Sequence, residues 1–408
     1  MSESTKSSTE TYFIFDFDGV LGDTLEASVW VNMKINGLPA EAYEESLESI
    51  KRYLDFPKHN KQKNLTLEEK ATLLQHYVRW GQLLVEQGFS LFEGFIRELR
   101  KLNNKVKMAV VTSGSSLYVL PTLQQSGVLF DEILTIEDGL SKEEKVERIC
   151  ANWGVSIQDV YYFTDTTGDV HELEKSLDRE KIYGVSWGWH GAEHLTTALP
   201  FSRILTSFSD IHLVSPKCKV IRIGGGDTYS DYDHYLTDLH SSELRLETSS
   251  PSPQWKYWLL DRLNATSGFS AYNITMPNTA NAQYGEWKIQ FEKISRFLNP
   301  QDILVGHSLG GIFLLKYLSE NPIKLAQVHI VAAPYNGCFG FNFQPELLIH
   351  FAPQLHFYHS TDDFVVPFTD FQQFQQLLPQ AQFHEFHDRN HFLTDQIPEL
   401  LDVIVPQH

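Results

Sequence analysis

Two strings in this chain carry the residue types of hydrolytic chemistry. The first is DFDGVLGDT, at the carboxyl end of the apolar run YFIFDFDGV (12–20). Side chains alternate along a strand, so Asp16 and Asp18 point the same way and set two carboxylates together just past a sheet edge. That concentration of negative charge is costly unless a cation or a proton shares it. Two more acids stand in FTDTTGDV: Asp165 ends another apolar strand and Asp169 lies four residues on. Four carboxylates at two strand ends are an oxygen-rich set suited to Mg²⁺, a hard ion that takes carboxylates, carbonyls and water. The ion would screen an aspartate nucleophile from an incoming phosphate. Thr112, ending MAVVT, and Lys142, opening SKEEK, supply the hydroxyl and the ammonium that equatorial phosphoryl oxygens require. Lys145 competes for the lysine role, and the 23-residue separation of Lys142 from Asp165 favours Lys142.

The second string is GHSLG (306–310), which follows the apolar run DILV and precedes the helical segment GIFLLKYL. Strand, serine and helix in that order are the context of a nucleophile elbow, where small neighbours let Ser308 sit on a sharp turn. A serine hydroxyl needs a base, and the base needs an orienting carboxylate. FYHSTDDFVVP offers Asp362 and Asp363 after a strand, and HDRNHFL offers His387 and His391 after the last one. Asp363 and His391 are the preferred pair, the first opening the turn DFVVP and the second standing before Phe392 and the closing helix; Asp362 and His387 are the alternatives. His384 alternates along QFHEFH and reads as a packed or surface residue. For the oxyanion, the Leu309 N–H at the start of the elbow helix is one donor. The other is expected from GGGD (224–227), at Gly225 or Gly226, where no side chain blocks a close approach.

These residues need sheets to hold them. From about 23 to 92 the pattern is helical and polar, an insertion after the first strand. Strands KVKMAVVTS, FDEILTI and VYYFTDT then alternate with helical stretches, which implies right-handed crossovers and a parallel sheet. The stretch SFSDIHLVSPK (207–217) is the expected boundary, giving domains 1–213 and 214–408. A second α/β series follows, from KVIRIGG to QFHEF. Open α/β sheets place sites outside the carboxyl ends of their strands, where both strings lie.

The 408-residue length suits two domains of roughly 200 residues. With 33 Lys+Arg against 52 Asp+Glu and a net charge of -19, diffuse contact with a nucleic acid or an anionic bilayer meets repulsion. Cys150, Cys218 and Cys338 are too scattered for a disulfide scaffold and agree with a reducing compartment. The polar N-terminus has no signal-like apolar region, and no run reaches the length of a membrane span. The expected setting is the cytoplasm, with secretion lacking a cleaved signal left open, as is the oligomeric state.

Residues 12–212 resemble the haloacid dehalogenase-like superfamily, through DFDGV, Thr112, Lys142, the Asp165/Asp169 string and the late GVSWG strand. The resemblance implies that Asp16 is the nucleophile forming an aspartyl-phosphate and that Asp18 protonates the leaving alcohol and then activates water. It also implies that Thr112 and Lys142 hold the phosphate, that Asp165 binds Mg²⁺ with Asp16 and the Asp18 carbonyl, and that Asp169 supports that shell. An acid at the second position favours phosphatase chemistry, because an alkoxide leaving group needs a general acid and a halide does not. Thr164 stands where the family usually has Gly. The insertion corresponds to the family's cap, in which Lys34, Lys51, Arg52 and Arg79 are candidate substrate contacts or ordinary solvated residues.

Residues 218–407 resemble the small, lidless α/β-hydrolases of the retinoblastoma-binding-protein serine hydrolase group, through NAQYGEWKIQFEK, VGHSLGG and the DFVVP and NHF segments. Gly224 stands where that family frequently has His. The resemblance implies hydrolysis of esters, amides or thioesters through an acyl-serine. Trp255, Trp258, Tyr272, Phe339, Phe341 and Phe343 are candidates for an acyl pocket or for the core. The expected fold class is therefore α/β: a HAD-like Rossmannoid domain with a helical cap, then a compact α/β-hydrolase domain. The expected function is a bifunctional hydrolase with Mg²⁺ as cofactor, acting on a small phosphorylated metabolite and a small acyl ester or amide. The alternative is a ligand-binding or regulatory protein with one or both domains inactive.

Overall fold

The computed structural model describes residues 10–57, 65–242, 254–335 and 338–406. The chain forms two compact units, Met1–Ser215 and Pro216–His408.

In the N-terminal unit, β1 (Tyr12–Phe15) is followed by the short antiparallel pair β2 (Gly22–Asp23) and β3 (Ser90–Leu91). Then come β4 (Lys107–Val111), β5 (Glu132–Leu134), β6 (Val160–Thr164), β7 (Ile182–Val185) and β8 (Ile204–Leu205). Apart from the β2/β3 pair, these strands make one parallel sheet in the order β5-β4-β1-β6-β7-β8. Every residue of β1 and β6 is buried, as continuous apolar runs covered on both faces should be. One face packs Tyr12, Ile14, Val111 and Tyr162 against Val146, Ile149 and Leu173 of the following helices.

The insertion holds helices Leu25–Asn36, Tyr43–Leu54 and Leu67–Gln87, with its own small core of Val29, Met33, Ile50 and Leu54. A capping box between Thr66 and Glu69 starts the last helix. The β2/β3 pair joins the two ends of the insertion, so it leaves and re-enters the sheet domain at one point.

The second unit runs β9 (Cys218–Ile223), β10 (Phe269–Ile274), β11 (Ile303–His307), β12 (Gln327–Val331), β13 (Leu355–Ser360) and β14 (Gln382–Phe386). All pair in parallel, in the order β10-β9-β11-β12-β13-β14. Helix Leu309–Glu320 is buried along most of its length, which explains its apolar LGGIFLLKYL. No helix among the described residues is long and apolar enough to cross a membrane.

Candidate active sites

Asp16 leaves β1 still bound to the sheet, its N–H donating to the Phe163 carbonyl at 2.9 Å. Lys142 is the first residue of helix Lys142–Trp153, which Ser141 caps by accepting from the Glu144 N–H. From there its ammonium lies 2.5 Å from Asp16 Oδ2 and 2.5 Å from Asp169 Oδ2, with all three side chains buried. Burial works against the Lys142 charge, but Asp16 and Asp169 outweigh it and hold its pKa well above the usual range. Burial pushes Asp16 up to about 6 against the pull of Lys142, and the charges of Asp169 and Asp18 add to the rise. Lys145 is equally buried but donates to two backbone carbonyls, those of Thr112 at 2.6 Å and Thr135 at 3.1 Å.

The four acids do not form one ring of free carboxylates. Asp18 accepts from Thr24 Oγ1 at 2.9 Å and from the Tyr118 hydroxyl at 2.7 Å. Asp169 accepts from Lys142 and, at 2.8 Å, from Thr164 Oγ1, so the Thr164 hydroxyl holds an acid in place. Asp165 accepts from the Trp189 N–H at 2.7 Å through Oδ2, while its buried Oδ1 has no partner among the described residues. Burial first, then Asp16, raises the Asp165 pKa well above the carboxylate range. A side chain at Gly19, whose φ is +75°, would come within 1.8 Å of Asp165 Oδ2, and one at Gly188 within 2.2 Å of Asp165 Cβ. An orphaned carboxylate oxygen beside Asp16, in a cradle that only glycines leave open, fits a divalent cation.

These residues open into a cavity of about 380 Å³. Its cap side is lined by Asn32, Tyr53, Leu73, His76, Tyr77 and Trp80. None of Lys34, Lys51, Arg52 and Arg79 lines it. Lys34 pairs with Glu86 on the surface, and Arg79 donates to Gln82 there. The sequence reading missed the aromatic lining and Tyr118, for a hydroxyl 100 positions from Asp18 leaves no local signal. Thr112 is fully buried, its Oγ1 accepting from the Gly114 N–H at 2.8 Å.

The cap is also tied to the sheet domain away from the carboxylates. Asp55 accepts from Thr167 Oγ1 at 3.0 Å and lies 2.5 Å from His194 Nε2. Among the described residues, Asp55, His190 and His194 form the one group of three such side chains with ligand atoms within 4.8 Å of one another. Both His190 ring nitrogens are already engaged, Nδ1 by the Thr167 N–H and Nε2 by the Lys51 carbonyl, so the trio reads as a latch.

In the second unit Ser308 joins β11 to its helix with φ 54° and ψ −125°, a conformation that L-residues rarely hold and that projects the side chain from a tight turn. Its neighbours must be small. A side chain at Gly306 would come within 2.6 Å of the Gly310 carbonyl, and one at Gly310 within 2.4 Å of the Gly224 carbonyl. His391 Nδ1 lies 2.8 Å from Asp363 Oδ2, and Asp363 Oδ1 accepts from the Val365 and Val366 N–H groups. Burial alone would raise the Asp363 pKa, but the His391 and Val366 bonds outweigh it and lower the value. Asp362 faces elsewhere, accepting from Ser360 Oγ and the Asn390 N–H. His387 is exposed against Thr361, and His384 stacks on Tyr358 with centroids 4.3 Å apart.

Ser308 and His391 line one cavity of about 780 Å³ without a hydrogen bond between them, a contact that commonly tightens only with substrate bound. Gly225 presses on the serine, since a side chain there would come within 2.9 Å of Ser308 Cβ. Gly226 is instead packed against the Thr279 carbonyl, and Leu309 is buried at the first helical position. Of the six aromatic candidates, Trp255 lines the cavity; Phe341 packs on Tyr284 and Trp287 in the core, and Phe339 is exposed. His307 Nε2 donates to the His391 carbonyl, 3.1 Å away, a contact the sequence reading did not anticipate.

No curated protein matches the chain in sequence. Similar solved structures include the ydeN gene product from B. subtilis, at 22% identity over 46% of this chain and 97% of that one, with a TM-score of 0.37. A predicted phosphatase from Clostridium acetobutylicum is 19% identical over 50% of this chain and 97% of its own, with a TM-score of 0.39. A haloacid dehalogenase-like family protein from Streptococcus pneumoniae is 16% identical over 50% and 97%, with a TM-score of 0.37. The model of the haloacid dehalogenase-like hydrolase family matches residues 13–175, which span the Asp16, Thr112, Lys142 and Asp165 strings. The N-terminal unit is accordingly a haloacid dehalogenase-like hydrolase domain.

Proposed function

We propose that the chain is a bifunctional cytoplasmic hydrolase, with a phosphomonoesterase in the N-terminal unit and an acyl-serine hydrolase of the α/β-hydrolase kind in the second. The observation that carries the first half is the buried Lys142 ammonium between Asp16 and Asp169, beside an Asp165 oxygen with no partner. Asp16 attacks the phosphorus of a small phosphorylated metabolite, and the departing alkoxide takes a proton from Asp18. Asp18 then accepts a proton from water as its oxygen attacks the aspartyl-phosphate, releasing phosphate and restoring Asp16. Asp18 is steered for both transfers by Thr24 and Tyr118. Thr112 and Lys142 hold the phosphoryl oxygens. Mg²⁺, held by Asp16, Asp165 and the Asp18 carbonyl with Asp169 behind them, supplies charge neutralisation when bound.

The second half is supported by the His391–Asp363 bond in the cavity of a strained Ser308. Ser308 Oγ attacks the acyl carbon of a small ester or amide while His391 takes its proton and passes it to the leaving group. Water, deprotonated by His391, then releases the acid. The oxyanion accepts from the N–H groups of Leu309 and Gly225, the closer of the two glycines to the serine.

Paired assays on the full chain test both halves. Asp16→Asn should abolish magnesium-dependent phosphate release and spare ester cleavage, and Ser308→Ala should do the reverse. Absence of both activities across a broad substrate panel, with no labelling of Ser308 by a fluorophosphonate, would replace this reading with ligand binding.

A further inference from the structure

Arg222 lies on β9, is 4% exposed, and lines the same cavity as Ser308, His391 and Gly225. A guanidinium carries five N–H donors and keeps its charge when buried. Nη1 donates to Asn273 Oδ1 at 2.7 Å, Nε has no partner among the described residues, and the group lies over the Trp255 ring, 4.7 Å from its centroid. Among the described residues no carboxylate lies within 4.0 Å of it. Lys219, three residues earlier on the same strand and fully buried, shows the ordinary solution, with Asp302 2.9 Å away. Burying a cation without a counter-charge costs several kcal/mol, and a neutral amide and one aromatic face offset only part of that. Its field also reaches the catalytic edge, for after burial Arg222 is the main cause lowering the His307 pKa. Lys256 adds a second positive group to the cavity wall and Asp227 a negative one.

From this we infer that the second cavity selects acyl substrates bearing an anion, a carboxylate or a phosphate, which Arg222 binds as a counter-charge. The planar fork suits two oxygens of either anion. For the reaction the inference rests on the Ser308 reading; for binding it does not.

The test uses the full chain and a readout confined to this cavity: protection of Ser308 from a fluorophosphonate by monomethyl succinate, methyl phosphate and neutral dimethyl succinate. An anionic compound should protect at a concentration at least tenfold lower than the neutral diester, and the better of the two anions identifies the group. Arg222→Gln should erase that preference and Arg222→Lys should keep part of it, with circular dichroism showing both variants folded. Equal protection by anionic and neutral compounds, or a preference that survives Arg222→Gln, overturns the inference. In parallel, the Arg222 Nε–H resonance, assigned by its loss in Arg222→Gln, should shift on titration with the same anions. A shift without Ser308 labelling would sink the hydrolase reading and leave the anion site standing, whereas labelling without a shift would do the opposite.

Discussion

The Thr164 hydroxyl donates to Asp169 at 2.8 Å, and this bond ties the side chain at the tip of β6 to the candidate site. Thr164 Oγ1 also accepts from the Thr166 N–H at 3.2 Å. Thr164→Val keeps the shape and removes both bonds, stranding a buried N–H at a cost of about 1–3 kcal/mol. The expected result is a lower Tm and a phosphatase kcat reduced by roughly tenfold with little change in KM, read from steady-state kinetics and calorimetry.

Lys142 and Lys145 are both buried lysines on one helix, yet they answer to different partners. Lys142→Met leaves Asp16 and Asp169 facing each other without a cation, and phosphate release should fall by about a thousandfold or more. Lys145→Met takes the ammonium from the Thr112 carbonyl, while the Thr135 carbonyl keeps the Asp138 N–H, so its main effect should be a Tm loss corresponding to about 1–3 kcal/mol. Should the kinetic loss be larger in Lys145→Met once the folded fraction is equalised, the assignment of Lys142 is wrong.

Adjacent aspartates separate in the same way. Asp363→Asn removes the acceptor that orients His391, and ester turnover should drop by about 10³–10⁴. Asp362 bonds Ser360 and the Asn390 N–H and not His391, so Asp362→Asn should change turnover by less than about threefold. Rates of fluorophosphonate labelling at Ser308 give the same comparison without a known substrate.

The second unit should lose stability as pH falls below the range where free imidazole titrates. Burial lowers the pKa of His307 to about 3, of His356 to about 4 and of the fully buried His329 well below its usual value. A folded pKa below the unfolded value means that the unfolded chain binds the extra proton. Stability is therefore full above about pH 6.5 and declines as pH falls toward the folded pKa. A lower Tm at pH 5 than at pH 7 is expected for that unit, with the gap narrowed in His329→Gln. A Tm that is flat or rises over this interval contradicts the account.

What could be read without coordinates was whatever chain contiguity fixes. The apolar run into Asp16 announces a strand tip, the helical pattern between 23 and 92 announces an insertion, and GHSLG between an apolar strand and an apolar helix announces a bend at Ser308. Such features depend on neighbours within a few residues, whose sterics and periodicity are local. Between the alternatives that the sequence left open, tertiary structure shows the contacts: Asp363 and not Asp362 bonds His391, and Lys142 and not Lys145 reaches Asp16. It also brought Tyr118 to Asp18 and left Arg222 buried with no carboxylate beside it among the described residues, since partners supplied from another strand or helix depend on how elements pack. A local pattern carries no record of that packing.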